Sequence, residues 1–326
     1  MTEVKQPPDG NVQVALTLVS AGYMAEGMSP GQKLQVMSKA LNVQGLPTAG
    51  RWKIVWGPAE GHEFDQWFIA EGPDAQGAPT LALVIRGTQM HQWASIKHDL
   101  EIGMAPLPFP YPGAAPTVSI AKGFVDSFRN LIAATSGSYN ALGYLQSRLG
   151  TGTGSEQVHV IGHSLGGALA PLVGLWVKAH FPHFPDRAIK VFPFGGQSTG
   201  NWPFAQLYRS AFPNQPSRWI TNRDLTPLMY AQLDAVKRYW PNGPTCPEGV
   251  RDLIDGTRQW WEKFSAIPDP HVFHAQGYLY MQDDFASWNA QSRAQHEHRY
   301  YLYLSGVYQA PIREAFGRWF PPPGQP

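Results

Sequence analysis

Apolar residues along this chain gather into two alternating kinds of run. Short continuous ones occur at "LALVIRG" (81–87), "QVHVIGH" (157–163) and "AIKVFPFG" (188–195), each ended or punctuated by glycine. Largely apolar runs of this length predict strands buried on both faces. Between them lie longer segments with helical spacing. "GFVDSFRNLIAATSGSYNALGYLQSRL" (123–149) predicts one long amphipathic helix. "LGGALAPLVGLWVKAHF" (165–181) predicts a second, in which Pro171 should introduce a bend. "FAQLYRSAF" (204–212) and "SRWITN" (217–222) continue the alternation. Upstream, "RWKIVWG" (51–57) and "DQWFIAEG" (65–72) predict two paired strands. Strands alternating with helices predict an α/β fold with a mainly parallel central sheet covered by helices. Two stretches break the rhythm: the Pro-rich "GMAPLPFPYPGAAPTVS" (103–119) and the partly helical 231–264. Long irregular segments in compact domains are commonly lids or binding loops.

Composition narrows the function classes. The chain has 326 residues, which we take as one domain spanning 1–326, and 43% of them are hydrophobic against 15% charged. That supports a large core and excludes intrinsic disorder. The net charge of +1 offers no basic excess for nucleic acid or an anionic membrane. Cys246 is the single cysteine, so no internal disulfide supports the fold. The N-terminal run "VALTLV" loosely imitates a signal peptide, but Glu3, Asp9 and two prolines precede it in place of a basic cluster. We expect no signal peptide here and no transmembrane segment, in keeping with a cytoplasmic protein or a secreted one whose signal is absent from this sequence. The compartment is left open.

Two G-x-S-x-G pentapeptides are present, centred on Ser164 and Ser198. The pattern alone is weak, and context must choose between them. A nucleophile elbow needs a buried strand, a sharp turn and then a helix whose small residues allow close packing. Ser164 has all three: a strand-forming run ahead of it, and Gly166, Gly167, Ala168 and Ala170 behind. Around Ser198, Pro193 interrupts the strand and Trp202–Pro203 follow. A glycine-rich loop is the better reading there.

The residues around Ser164 resemble those of the class 3 lipases, the fungal-type triacylglycerol lipase family. "VIGHSLGGALA" is similar to its nucleophile motif, "LALVIRGTQ" to its strand ending in F-R-G-T/S, and "QWASIKHDL" to its W…D-L segment. "IAKGFVDSF" resembles V-H-x-G-F-x-x-x-Y with Ala121 in the histidine's place. "VFPFGGQSTGNWPFA" resembles T-F-G-x-P-R-x-G-N-x-x-F-A with Gln197 and Ser198 in place of Pro and Arg. "SRWITNRDLTPLMY" resembles the segment carrying the acidic member of the triad. The resemblance runs from Leu81 to Tyr230. It implies an α/β-hydrolase fold, an ester or lipid substrate met at a transient lipid–water interface, and no cofactor.

For the remaining members, chain order in this fold is Ser…Asp…His. Asp224, just past a predicted strand, is the expected acid; capping the turn before Pro227 is its structural alternative. Four histidines follow it: His271, His274, His296 and His298. The family's histidine stands in a late H-x-x-Y/W context, which favours His298 over His296, with His274 behind both. The oxyanion donors expected are the Leu165 N–H and, by resemblance, Thr88 at the end of its strand. Arg86 reads as a structural ion-pairing residue. "HFPH" (180–183) and "QDD" (282–284) lack the ligand sets of metal sites, and Trp260–Trp261 reads as core or lid packing. The expectation is a serine ester hydrolase acting on acylglycerols through Ser164, His298 and Asp224. Alternatives are a soluble short-chain carboxylesterase, a phospholipase, or a non-catalytic hydrolase-fold protein that binds an apolar ligand.

Overall fold

The computed structural model describes residues 10–25, 27–60, 66–87, 103–150, 156–240, 244–268, 270–273, 287–298 and 310–317. A seven-stranded sheet forms the centre. Its strands are β1 (Lys53–Glu60), β2 (Gln66–Pro73), β3 (Pro79–Arg86), β8 (Gln157–His163), β9 (Ile189–Phe194), β10 (Trp219–Thr221) and β11 (His271–Phe273), in that spatial order. The first three pair antiparallel, and β3 onward is parallel. The intervening β4 (Met104–Pro106) and β5 (Ser119–Ala121), and β6 (Thr135–Ser136) and β7 (Tyr139–Asn140), form two small hairpins.

Strand alternation divides the core in two. In β3, Leu81, Leu83 and Ile85 face one side while Ala82 and Val84 face the other. On the first side lie α3 (Lys122–Ala133), α4 (Ala141–Leu149), α5 (Leu165–His180) and α6 (Trp202–Ala211). On the second lie α1 (Gly10–Tyr23), α2 (Pro30–Leu41) and a helix at 310–316. Both faces of the parallel strands are covered, which is why their sequences read as continuous apolar runs.

Two elements differ from the sequence reading. The apolar N-terminal run is α1, in which every residue from Asn11 to Tyr23 is buried. A helix apolar all round belongs inside a core, and its lack of an amphipathic stripe is why periodicity does not reveal it. The segment expected as one helix over 123–149 is two. Ala134 leaves helical geometry, Gly137 turns at φ +62°, and the Asn140 side chain caps α4 by accepting from Gly143 N–H at 2.8 Å. Helix α5 runs through Pro171 without ending. The 231–264 stretch contributes two helices, α7 (Leu233–Val236) and α8 (Glu248–Trp261), with a small cluster of their own around Val236, Trp240 and Ile254.

Candidate active site

Ser164 sits at the carboxyl end of β8, where α5 begins. Its backbone is at φ 60° and ψ −124°, a left-handed conformation that a non-glycine residue holds only when its surroundings enforce it. Two bonds enforce it here: Ser164 N–H donates to the Phe194 carbonyl, and Ala168 N–H donates to the Ser164 carbonyl, both at 3.0 Å. The turn is tight enough that a β-carbon at Gly162 would fall 1.9 Å from the Gly166 oxygen. Glycine is required there by close approach of strand to helix. Ser198 has no such backbone. It lies in the loop between β9 and α6, 1% exposed, with its N–H on the Met229 carbonyl at 3.4 Å.

Leu165 is the first residue of α5, so its N–H is among the donors that a helix start leaves without an intrahelical partner. The partial positive charge of this 16-residue helix points the same way. Thr88, the other expected oxyanion donor, lies outside the described residues.

Asp224 follows β10 by three residues. Its N–H donates to Thr221 Oγ1 at 3.1 Å, and its Oδ1 accepts from Thr226 N–H at 2.9 Å. These bonds leave Oδ2 turned to the histidine Nδ1 of His296, 2.9 Å away, with both side chains fully buried. A carboxylate accepts only, so Nδ1 carries the proton and Nε2 is left as the basic nitrogen. The sequence reading preferred His298 for this position. In the structure it is His296 whose ring meets Asp224. The reason is local: residues 294–298 form a π-helical turn extending α9 (Trp288–Arg293), and this wide turn is where His296 meets the acid. A motif counted as H-x-x-Y does not sense that geometry. The side chains of His298 and His271, and all of His274, lie outside what is described.

Two residues that the sequence did not single out complete the neighbourhood. His163, the variable residue of the pentapeptide, stacks on His296 with ring centroids 4.7 Å apart and planes 26° apart. Its Nε2 meets the His296 carbonyl at 3.1 Å, and its Nδ1 meets the Tyr23 hydroxyl at 2.8 Å. That hydroxyl also accepts from Gly87 N–H at 3.1 Å. Burial, and then the adjacent His296, hold His163 well below the ordinary imidazole range. Burial likewise pushes the Tyr23 phenol up. Arg86 is buried as well, its guanidinium 6.0 Å from the Tyr23 ring centroid. Among the described residues, no group of three or more His, Cys, Asp or Glu side chains could hold a metal ion. No helix there is long and apolar enough to cross a membrane.

Comparison with known proteins bears on the family and the fold. Residues 82–233 match the sequence profile described as lipase (class 3). The fold is similar to that of the M37 lipase, with a TM-score of 0.76 over 97% of this chain and 100% of that one, at 18% identity. It is also similar to the Lip2 lipase from Yarrowia lipolytica, with a TM-score of 0.50 over 67% of this chain and 72% of that one, at 20% identity. Identities this low bear on the fold, which is that of an α/β-hydrolase. No curated protein matches the chain in sequence.

Proposed function

We propose that this chain, which matches the class 3 lipase profile over residues 82–233, is a carboxylic ester hydrolase working through an acyl-enzyme on Ser164, with His296 as base and Asp224 as its orienting acid. The observation that carries the assignment is the buried 2.9 Å bond from His296 Nδ1 to Asp224 Oδ2, with the His296 ring stacked on His163, the residue before a serine in elbow conformation. That bond fixes the tautomer whose Nε2 can accept the serine proton.

In this reaction Ser164 Oγ attacks the ester carbonyl carbon while Nε2 of His296 takes the hydroxyl proton. Negative charge develops on the carbonyl oxygen and is met by the Leu165 N–H, with Thr88 as the second donor by family resemblance. As the tetrahedral intermediate collapses, the C–O bond to the leaving alkoxide breaks and His296 returns its proton, releasing the alcohol. Water, deprotonated by the same nitrogen, then hydrolyses the acyl-enzyme and restores Ser164. Asp224 stays ionised throughout and stabilises the imidazolium that forms twice per cycle.

The substrate class is acylglycerol, supported by the match to the class 3 lipase profile. The 231–264 region and the stretch from Thr88 to 119 are the candidate lids. Ser164→Ala should abolish labelling by a fluorophosphonate probe and lower kcat by about 10⁶-fold. Hydrolysis of p-nitrophenyl esters should rise with acyl length and gain from an oil–water interface. A preference confined to acetate and butyrate, with no interfacial gain, would instead make the protein a soluble esterase.

A further inference from the structure

We propose that Tyr23 and His163 are positioning residues, a buried hydrogen-bonded relay that holds the main chain of His296 and the strand end at Gly87 in fixed places beside the nucleophile. The inference rests on the triad reading above and extends it to residues that no part of that reading uses.

The polarity of the chain of bonds is determined from both ends. The His296 carbonyl can only accept, so His163 Nε2 must carry the proton across the 3.1 Å contact. The neutral ring then presents Nδ1 as an acceptor, and the Tyr23 hydroxyl must donate to it across 2.8 Å. The phenol oxygen has a lone pair left for the Gly87 N–H, a group that can only donate, at 3.1 Å. Every donor therefore faces an acceptor in one tautomer, with the Tyr23 hydroxyl 2.8 Å from Nδ1 against 3.5 Å from the His163 carbonyl. Tyr23, His163 and His296 are 3%, 1% and 0% exposed, so water does not compete for these bonds.

Three parts of the site meet on this relay. His163 precedes the nucleophile in sequence. Gly87 lies against it in space: a β-carbon there would fall 2.6 Å from Ser164 Cβ. In sequence, Gly87 comes directly before Thr88, the second oxyanion donor by family resemblance, and its N–H is anchored on the Tyr23 hydroxyl. His296 is held at its carbonyl by His163 and at its ring by Asp224. The ring stack adds an electrostatic requirement. When His296 takes the serine proton, a cation forms 4.7 Å from the His163 ring centre. A neutral His163 tolerates that cation; a protonated one would oppose it. Burial keeps both relay groups in their neutral forms.

The test uses near-isosteric variants and separates kcat from KM. Tyr23→Phe removes only the hydroxyl. His163→Leu removes both ring nitrogens, whereas His163→Gln restores a donor near the Nε2 position. Hydrolysis of p-nitrophenyl butyrate and the rate of fluorophosphonate labelling are followed across pH, with melting temperature as the check on folding. Tyr23→Phe and His163→Leu should lower kcat and the labelling rate by between about tenfold and a hundredfold, with KM little changed. His163→Gln should recover most of the loss. Should His163→Leu fail to fold, Tyr23→Phe decides the matter. Wild-type labelling on Ser164 with an unchanged rate in folded Tyr23→Phe would overturn the relay alone. So would a loss expressed only in KM, or a Gln variant no better than Leu. A wild-type protein that the probe does not label would overturn the triad reading and the relay with it.

Discussion

His159 and His163 stand four residues apart on the same face of β8, both buried, yet they live in different chemistries. His159 sits mid-strand, opposite Ala82 on one side and Lys190 on the other, with its ring edge against Phe192 at 5.2 Å. Neither of its ring nitrogens meets a hydrogen-bond partner among the described residues. Burial, helped by the Lys190 charge, lowers its pKa to about 3. His163 stands where the strand ends and the elbow begins, with both nitrogens engaged in bonds of defined direction. Burial alone therefore does not mark a working histidine. What separates the two is that His163 has polar partners on both sides, and that one of them is the main chain of the proposed base, His296. His159 is a neutral apolar filler that happens to be able to titrate.

Each half of that contrast can be broken. The largest effect should come at the far end of the relay: His296→Ala should lower kcat by about 10⁴-fold or more, while His298→Ala stays within about tenfold of wild type. The reverse result in steady-state kinetics would return the base to His298 and detach His163 from catalysis. Next comes the residue between the two histidines that the fold cannot enlarge. Gly162→Ala would place its methyl 1.9 Å from the Gly166 oxygen. Forcing strand and helix apart should cost about 3 kcal/mol or more in denaturant unfolding, and activity should fall with it.

The smallest effect belongs to His159 and is a matter of stability. Its folded pKa lies below the value of about 6.5 expected when unfolded. Above that pH both states are neutral and there is no penalty. As pH falls below it, only the unfolded chain takes the proton, so stability is lost at about 1.4 kcal/mol per pH unit until the folded group also protonates near its own pKa. His159→Leu should remove this component, so that melting temperatures at pH 4.5 and 7.5 draw closer together, with kcat unchanged. A loss of kcat in a folded His159→Leu protein would show that the two histidines are not so different after all.

The parts of the site that the sequence made legible are those built from contiguous residues. Strand, turn and helix around Ser164 are written within about twenty positions, so the choice over Ser198 followed from side-chain size and strand quality. Asp224 was legible for a similar reason, lying directly after a strand that pattern alone locates. The proposed base was not, because the choice between His296 and His298 rested on spacing to a downstream tyrosine, whereas it is the path of the backbone that brings the His296 ring to Asp224. Tyr23 lay further from view. It sits 140 residues before its partner, at the end of a helix so evenly apolar that no stripe gave it away. The α/β class and the paired strands at 53–60 and 66–73 were legible from period alone. The break at Ala134–Asn140 was a matter of turn chemistry inside an otherwise helical pattern.

The π-helical turn at Ala294–His298 has a consequence for how such a site can be lost. A π turn holds one residue more than an α turn, so it behaves as a single-residue insertion accommodated within a helix. Deleting one codon just before His296 would convert it to ordinary helix and rotate everything beyond by about 100° relative to α9. Serine, aspartate and histidine would all still be encoded, with every side chain of the right type. The imidazole would simply arrive facing another way. In this protein, register within a helix is as much an inherited catalytic property as the identity of any residue in it.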